Sequence, residues 1–361
     1  MRLFMLLFLA AYLGGNCYLF VRALPLLASF PTPIRWLFGL LFWVAALAMI
    51  LSFGMRHTAL PAPLLQGLFV VGSCWMVFTL YMVLSLGALD LLRLCGLQLR
   101  YPILPTLGFT LLLMGYGYWN YRHPQVEHLS ISIQKELAAP CRILFASDIH
   151  LGEGTRKKAL KRYVELINAQ KPDLILIGGD LIDNSIEPVR RQRMEEELRC
   201  LHAPLGVWMV AGNHEYISGI DSCRRFLRNT PVQLLRDSVL TLPGGLQLIG
   251  RDDRMNRLRS PLEELLAQTR PELPLLLVEH QPYELERADS LGIDLHLYGH
   301  THHGQVWPLS LLTDYLYSQS HGYRRWPHSH AVVSSGLSLW GPPFRIGTQS
   351  DLWVIDLSSS H

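Results

Sequence analysis

Four long stretches without a charged side chain fill most of the first 122 residues, and no other feature limits the possible folds so sharply. They run over residues 3–21, 36–53, 64–89 and roughly 103–119, each near the length a helix needs to cross a bilayer. Arginine and aromatic residues mark their ends (Arg22, Trp36, Arg56, Arg93, Arg100, Tyr121, Arg122), as expected at membrane–water interfaces. Gly15-Asn16-Cys17 has the outline of a lipid-modification site, but Asn16 suits it poorly, so the first stretch reads as an uncleaved helix. The sequence therefore predicts an N-terminal bundle of four transmembrane helices, in a multi-pass protein of the cell membrane. Four crossings return the chain to its starting side. Arg2, Arg56 and Arg122 on that side oppose Arg22, Arg35, Arg93 and Arg100 on the other, a division too even to set the topology.

Charge marks the boundary. Residues 1–122 hold seven Arg, no Lys and one acid, Asp90, for a net +6; the rest carries 25 Lys/Arg against 28 Asp/Glu, or −3, and the total is +3. Fourteen of the fifteen His lie in the second part. The expected domains are thus a transmembrane region, 1–122, and a second domain, 123–361, long enough to bury a substantial core. The six Cys include no CxxC pair, so neither a disulfide framework nor a zinc knuckle is indicated. A net acidic second domain without a broad basic stripe argues against a nucleic-acid partner.

In that domain residues 126–133 alternate apolar and polar side chains, as a half-buried strand should. Further strands are expected at 142–146, 173–177, 206–210, 274–278, 295–298, 331–335 and 352–357, with short ones near 233–235, 239–242 and 246–249. Helical spacing appears at 157–169, 188–201, 220–228 and 260–267. The pattern is α/β, and such sheets place their sites at the carboxyl ends of strands. The number of short strands suggests two sheets.

At those strand ends stand Asp148-Ile149-His150, Gly179-Asp180, Gly212-Asn213-His214, a lone His280 and Gly299-His300-Thr301-His302. Carboxylates, an amide and imidazoles are the donors that hard and borderline divalent cations take. Asp148 and His150 are two apart, so both can reach one ion; His300 and His302 are again two apart, on a tight loop begun by Gly299. A carboxylate on the Gly179-Asp180 turn has two oxygens and can bridge two cations. His214, next to Asn213, points elsewhere and is free to meet a substrate.

In this order the groups resemble the calcineurin-like metallophosphoesterases over roughly residues 140–357. The surrounding text, FASDIHLG (145–152), IGGDLID (177–183), VAGNHEY (210–216), YGHTHHGQ (298–305) and SSGLSLWGPPFRIG (334–347), is similar to that family's membrane-associated bacterial branch. The resemblance implies a four-layer double β-sandwich flanked by helices and two divalent ions, Mn, Fe or Zn. One ion would take Asp148, His150, Asp180 and His302; the other would take Asp180 as bridge, with Asn213, His280 and His300. The pair would polarise a phosphate ester and acidify the attacking water, and His214 would contact the phosphoryl group and protonate the leaving oxygen. Two departures stand out: Glu215 where Asp is more usual, and His303 where a small residue is common.

The expected activity is hydrolysis of a phosphoester beside a membrane, with a phospholipid or lipid-linked ester as the leading substrate class. Two alternatives compete: a hydrolase of soluble phosphodiesters or nucleotides merely anchored there, and a non-catalytic metal-binding membrane sensor. Arg251, Arg254, Arg257 and Arg259, and separately residues 323–326, offer basic groups for a phosphate or headgroup, while Arg345 and His303 remain open between substrate contact and structure.

Overall fold

The computed structural model describes residues 2–55, 61–96 and 99–360; Arg56, counted above among the interfacial arginines, lies outside them. The chain divides into two compact units: Met1–Trp119 with Gly341–Phe344, and Asn120–Trp340 with Arg345–His361.

The first unit is built from α1 (Arg2–Ala23), α2 (Thr32–Gly54), α3 (Ala62–Leu94) and most of α4 (Ile103–Arg122). Proline occupies the first turns of α2 and α3, where its missing N–H costs nothing. Among the described residues three helical segments are long and apolar enough to cross a membrane: Leu6–Leu27, Thr32–Gly54 and Pro63–Leu94. The fourth expected span is not among them. Residues 103–119 do form a helix, but Pro105, three Gly, and the Tyr-, Trp- and Asn-containing end dilute its apolarity. Inside the unit, buried Asn16 accepts hydrogen bonds from Trp75 Nε1 (2.8 Å) and Thr79 Oγ1 (3.3 Å). Arg22 Nη1 pairs with Asp90 at 2.9 Å.

The second unit is an α/β fold with two six-stranded sheets and helices. In the first sheet the order is β1-β12-β2-β3-β4-β5: β1 (Gln125–Ile133), β2 (Cys141–Ala146), β3 (Leu174–Ile177), β4 (Val207–Val210), β5 (Val232–Leu235) and β12 (Asp351–Ser359). From β2 to β5 the strands are parallel. In the second the order is β10-β11-β9-β8-β7-β6: β6 (Ser238–Thr241), β7 (Gln247–Gly250), β8 (Leu275–Val278), β9 (Leu295–Tyr298), β10 (Gly322–Arg325) and β11 (His330–Val333). Its central strands β7, β8, β9 and β11 are parallel as well.

The two-residue period of the strands sorts side chains between faces. Ile143, Phe145 and Leu176 share one apolar cluster with Leu248, Leu276 and Leu297, so the sheets pack face to face. Leu144 and Ile175 point the other way, onto Leu160, Val164 and Ile167 of α5 (Lys157–Ala169) and Phe226 of α9 (Ile220–Leu227). Ile249 and Leu277 likewise meet Leu262 and Leu265 of α10 (Leu262–Leu266) and Leu285 of α11 (Leu285–Ser290). The expected helix over 188–201 is instead two short ones, α6 (Glu187–Arg191) and α7 (Glu195–Leu198), interrupted near Arg193, whose φ is 53°. Two further helices are α8 (Asn213–Ile217) and α12 (Leu309–Leu316).

Candidate metal centre

Parallel β2, β3 and β4 deliver Asp148/His150, Asp180 and Asn213/His214 from their carboxyl ends, and parallel β8 and β9 deliver His280 and His300/His302. Five of these residues, Asp148, His150, Asp180, His300 and His302, have φ between 48° and 75°. None is Gly, so each left-handed conformation costs on the order of 1–3 kcal/mol and marks a place where chain direction serves side-chain placement.

Two donor groups result: Asp148, His150 and His302, and Asp180, His280 and His300. In the first, His150 Nε2 is 3.1 Å from His302 Nε2, and His302 Nε2 is 3.4 Å from Asp148 Oδ1. In the second, His280 Nε2 is 3.1 Å from Asp180 Oδ2 and 3.2 Å from Asn213 Oδ1, which His300 Nδ1 also approaches at 3.1 Å. One oxygen links the groups, since Asp180 Oδ2 is also 3.8 Å from His150 Nε2.

The surroundings hold these donors facing inward. Ser147 Oγ and the His300 N–H both donate to Asp148 Oδ2, at 2.6 and 3.0 Å. Its buried Oδ1, turned toward His302, has no hydrogen-bond partner among the described residues. The His214 N–H donates to Asp180 Oδ1 at 2.8 Å and leaves Oδ2 for the interior. His280 Nδ1 faces Gly178 O at 2.7 Å, so the proton sits on Nδ1 and the Nε2 lone pair points at two oxygens. Lone pairs at that range repel unless a proton or a cation lies between them. The donor set therefore fits a pair of divalent cations.

Charge states agree. Burial pushes the His300 pKa down to about 4 and that of His302 to about 3, so both are neutral and can act as ligands. For His150 burial opposes protonation, but Asp148 and Asp183 outweigh it and raise the pKa to about 10. At His280 burial is likewise outweighed, here by Asp180, and the shift is upward. Two imidazoles thus take up protons that a divalent ion would displace. Close approach fixes two glycines: a Cβ at Gly212 would collide with the Asp180 carboxylate, and one at Gly299 with Ser147 Oγ and Asp148 Oδ2.

A metallophosphoesterase of Helicobacter pylori, itself uncharacterized, is 34% identical over 261 residues, 70% of each chain. The family model for calcineurin-like phosphoesterase matches residues 141–304, which hold every donor named above. The chain belongs to the calcineurin-like metallophosphoesterases. A transmembrane protein with metallophosphoesterase domain from Danio rerio is 30% identical over 270 residues, 70% of this chain and 61% of that one. Among solved structures, a 5'-nucleotidase precursor from Thermus thermophilus aligns at 15% identity and TM-score 0.37, over 60% of this chain and about half (55%) of its own length. Family membership makes the chain a metal-dependent phosphoester hydrolase, of a family that generally uses a dinuclear divalent metal centre.

Two further acids serve this metallophosphoesterase site: Asp183, which had not stood out in the sequence, and Glu215, which had stood out only as a departure from the more usual Asp. Asp183 Oδ1 lies 3.2 Å from His214 Nδ1 and 3.4 Å from His150 Nδ1. Its spacing three residues after Asp180 was the available signal. Glu215 accepts from the N–H groups of Asp180 (2.9 Å), Ile182 (2.9 Å) and Gly212 (2.8 Å). It clamps the loops after β3 and β4 together, and the extra methylene over Asp gives it that reach.

Several of the remaining basic candidates turn out to be engaged. Arg345 is fully buried and donates to His302 O (2.6 Å), Ser335 O, Gly336 O (3.2 Å) and Ser338 O (3.2 Å), so its guanidinium holds the His302 loop. Arg251 pairs with Glu279 (3.0 Å) and Glu284 (2.6 Å), and Arg259 with Glu279 (2.7 Å). These ion pairs brace the residue preceding His280 and occupy the charges that a phosphate would need. Arg324 lies over Trp326 at 4.5 Å. His303 stands 3.3 Å from Asp314 and stacks on His321 at 3.5 Å between ring centroids.

Proposed function

We propose that this chain is a membrane-anchored phosphoesterase in which Asp148, His150, Asp180 and His302 hold one divalent ion and Asp180, Asn213, His280 and His300 hold a second. Residues 1–122 form the membrane region of a multi-pass cell-membrane protein, and residues 123–361 form the catalytic domain, read as a four-layer double β-sandwich. The observation that carries the reading is Asp180 Oδ2, one oxygen within 3.8 Å of His150 Nε2 and 3.1 Å of His280 Nε2. When bound, two such ions supply Lewis acidity to the phosphoryl oxygens and acidify water near neutral pH.

The protein's own part is orientation and proton movement. His214 is nearly buried, and its ring sits edge-on to that of His150 at 4.6 Å between centroids. With Asp183 opposite Nδ1, its Nε2 is left to give a proton to the departing oxygen. Trp340, 6.3 Å from His214 between ring centroids, adds an apolar wall.

The substrate we favour is a phospholipid or lipid-linked phosphate ester, because three helices of the chain are apolar and long enough to hold the domain at a bilayer. Detergent-purified full chain should be assayed on micellar lipid phosphoesters and on soluble p-nitrophenyl phosphoesters, with metal content measured in parallel. Turnover of the lipid esters supports this reading. Turnover of soluble esters alone, across a broad lipid panel, would leave an anchored hydrolase of soluble substrates. No hydrolysis of any ester by metal-loaded protein would return the sensor alternative.

A further inference from the structure

The helix α12 carries its side chains inside out for a surface in water. In LSLLTDYL the buried member is Ser310, while Leu309, Leu311, Leu312, Tyr315 and Leu316 are exposed by 43%, 58%, 41%, 86% and 61%. Positions 309, 312 and 316 line one stripe and 311 and 315 the next, so the five form a continuous apolar face. Contiguous apolar surface of this kind marks an interaction site.

Its position adds meaning. The helix starts seven residues after His302, and Tyr317 directly after it packs on Tyr283 (5.2 Å) and lies 6.5 Å from the His300 ring. The apolar face thus runs up to the edge of the metal site. Beside it, Arg324 Nη1 donates to Ser318 O at 3.2 Å, and Tyr323, Arg324 and Arg325 are exposed on β10.

We propose that α12 seats the catalytic unit on the surface of a phospholipid bilayer, its leucines among the acyl chains and Arg324 and Arg325 against anionic headgroups. Leucine and tyrosine beside arginine is the composition that lies in a lipid interface. Basic residues there are drawn electrostatically to an anionic leaflet. The bilayer is the occupant within reach because the chain's own apolar helices insert in it, and to that extent this inference rests on the anchoring proposed above. The mouth of the metal site then opens at headgroup level.

The test uses full chain in phosphatidylcholine–phosphatidylglycerol nanodiscs, with the photocrosslinker p-benzoylphenylalanine replacing one residue at a time. Tyr315 and Leu311 report on α12, Leu40 of α2 is the lipid-facing reference and Asp221 of α9 the solvent reference. Lipid adducts detected by mass spectrometry at 315 and 311 but not at 221 are expected, independent of any catalysis. Adducts at 40 with none at 315 and 311 would overturn the proposal, as would crosslinks from 315 to a second copy or another protein. No adduct even at 40 would remove the anchoring itself, and the docking with it.

Discussion

Asp183 sets its carboxylate 3.2 Å from His214 Nδ1, and the same oxygen is 3.4 Å from His150 Nδ1. One acid thereby orients both the imidazole proposed to move a proton and an imidazole proposed to hold an ion. Burial disfavours its charge, but the two imidazoles prevail and hold its pKa at about 2. Asp183→Asn should lower kcat about 10- to 100-fold, the usual effect of a group behind a ligand. The ion stoichiometry should be retained. Steady-state kinetics with metal analysis on the same preparation checks this, and unchanged kcat would deny Asp183 its role.

His214 is not among the residues proposed to hold the ions, so its loss should spare them. His214→Ala is expected to reduce kcat by about 10²- to 10⁴-fold, with KM little changed. A leaving group of low pKa should partly restore the rate, because it departs without a proton. Equal losses for good and poor leaving groups would place His214 elsewhere in the mechanism.

Glu215 is a matter of stability first. Glu215→Ala would strand the buried N–H groups of Asp180, Ile182 and Gly212, each worth about 1–3 kcal/mol when unsatisfied. A fall in the thermal midpoint, with loss of bound metal, is expected. Glu215→Asp should recover part of it, limited by the shorter side chain.

Away from the site, His296 gives a pH dependence of known sign. It is buried in β9 between Ser329 Oγ (3.0 Å) and Tyr298 OH (3.2 Å), and burial, opposed by Asp289, lowers its pKa to about 4. The folded protein keeps it neutral while the unfolded chain protonates near 6.5. Its contribution is therefore complete above about pH 6.5 and is lost as pH falls toward about 4, by on the order of 3 kcal/mol. The stability gap between the wild-type chain and His296→Gln should narrow over that interval; a constant gap would contradict the assignment.

Much of this arrangement was legible in the sequence because strand ends announce themselves. Runs such as Leu174–Ile177 stop at Gly-Asp, and a two-residue period then tells which side chains face one way. The donors of separate strands could be grouped because their order matched a family. Asp183, Ser147 and Arg345 were not legible, since their roles depend on which loops meet: Arg345 reaches the His302 carbonyl across 43 residues of chain. The arginines at 251 and 259 looked available because nothing local shows that Glu279 and Glu284 neutralise them. Residues 103–119 looked like a fourth span because charge, rather than mean apolarity, set the limits of the stretch. The inverted face of α12 was hidden for the opposite reason, as leucines at helical spacing ordinarily read as core.

The dinuclear assignment can be tested directly by stripping the detergent-purified chain with chelator and following phosphoester hydrolysis as Mn²⁺ is returned. Activity that rises to a plateau at about two equivalents per chain, with Asp180→Asn binding fewer ions and showing no plateau, is the predicted result. A plateau at one equivalent, or full activity in the stripped protein, would contradict it.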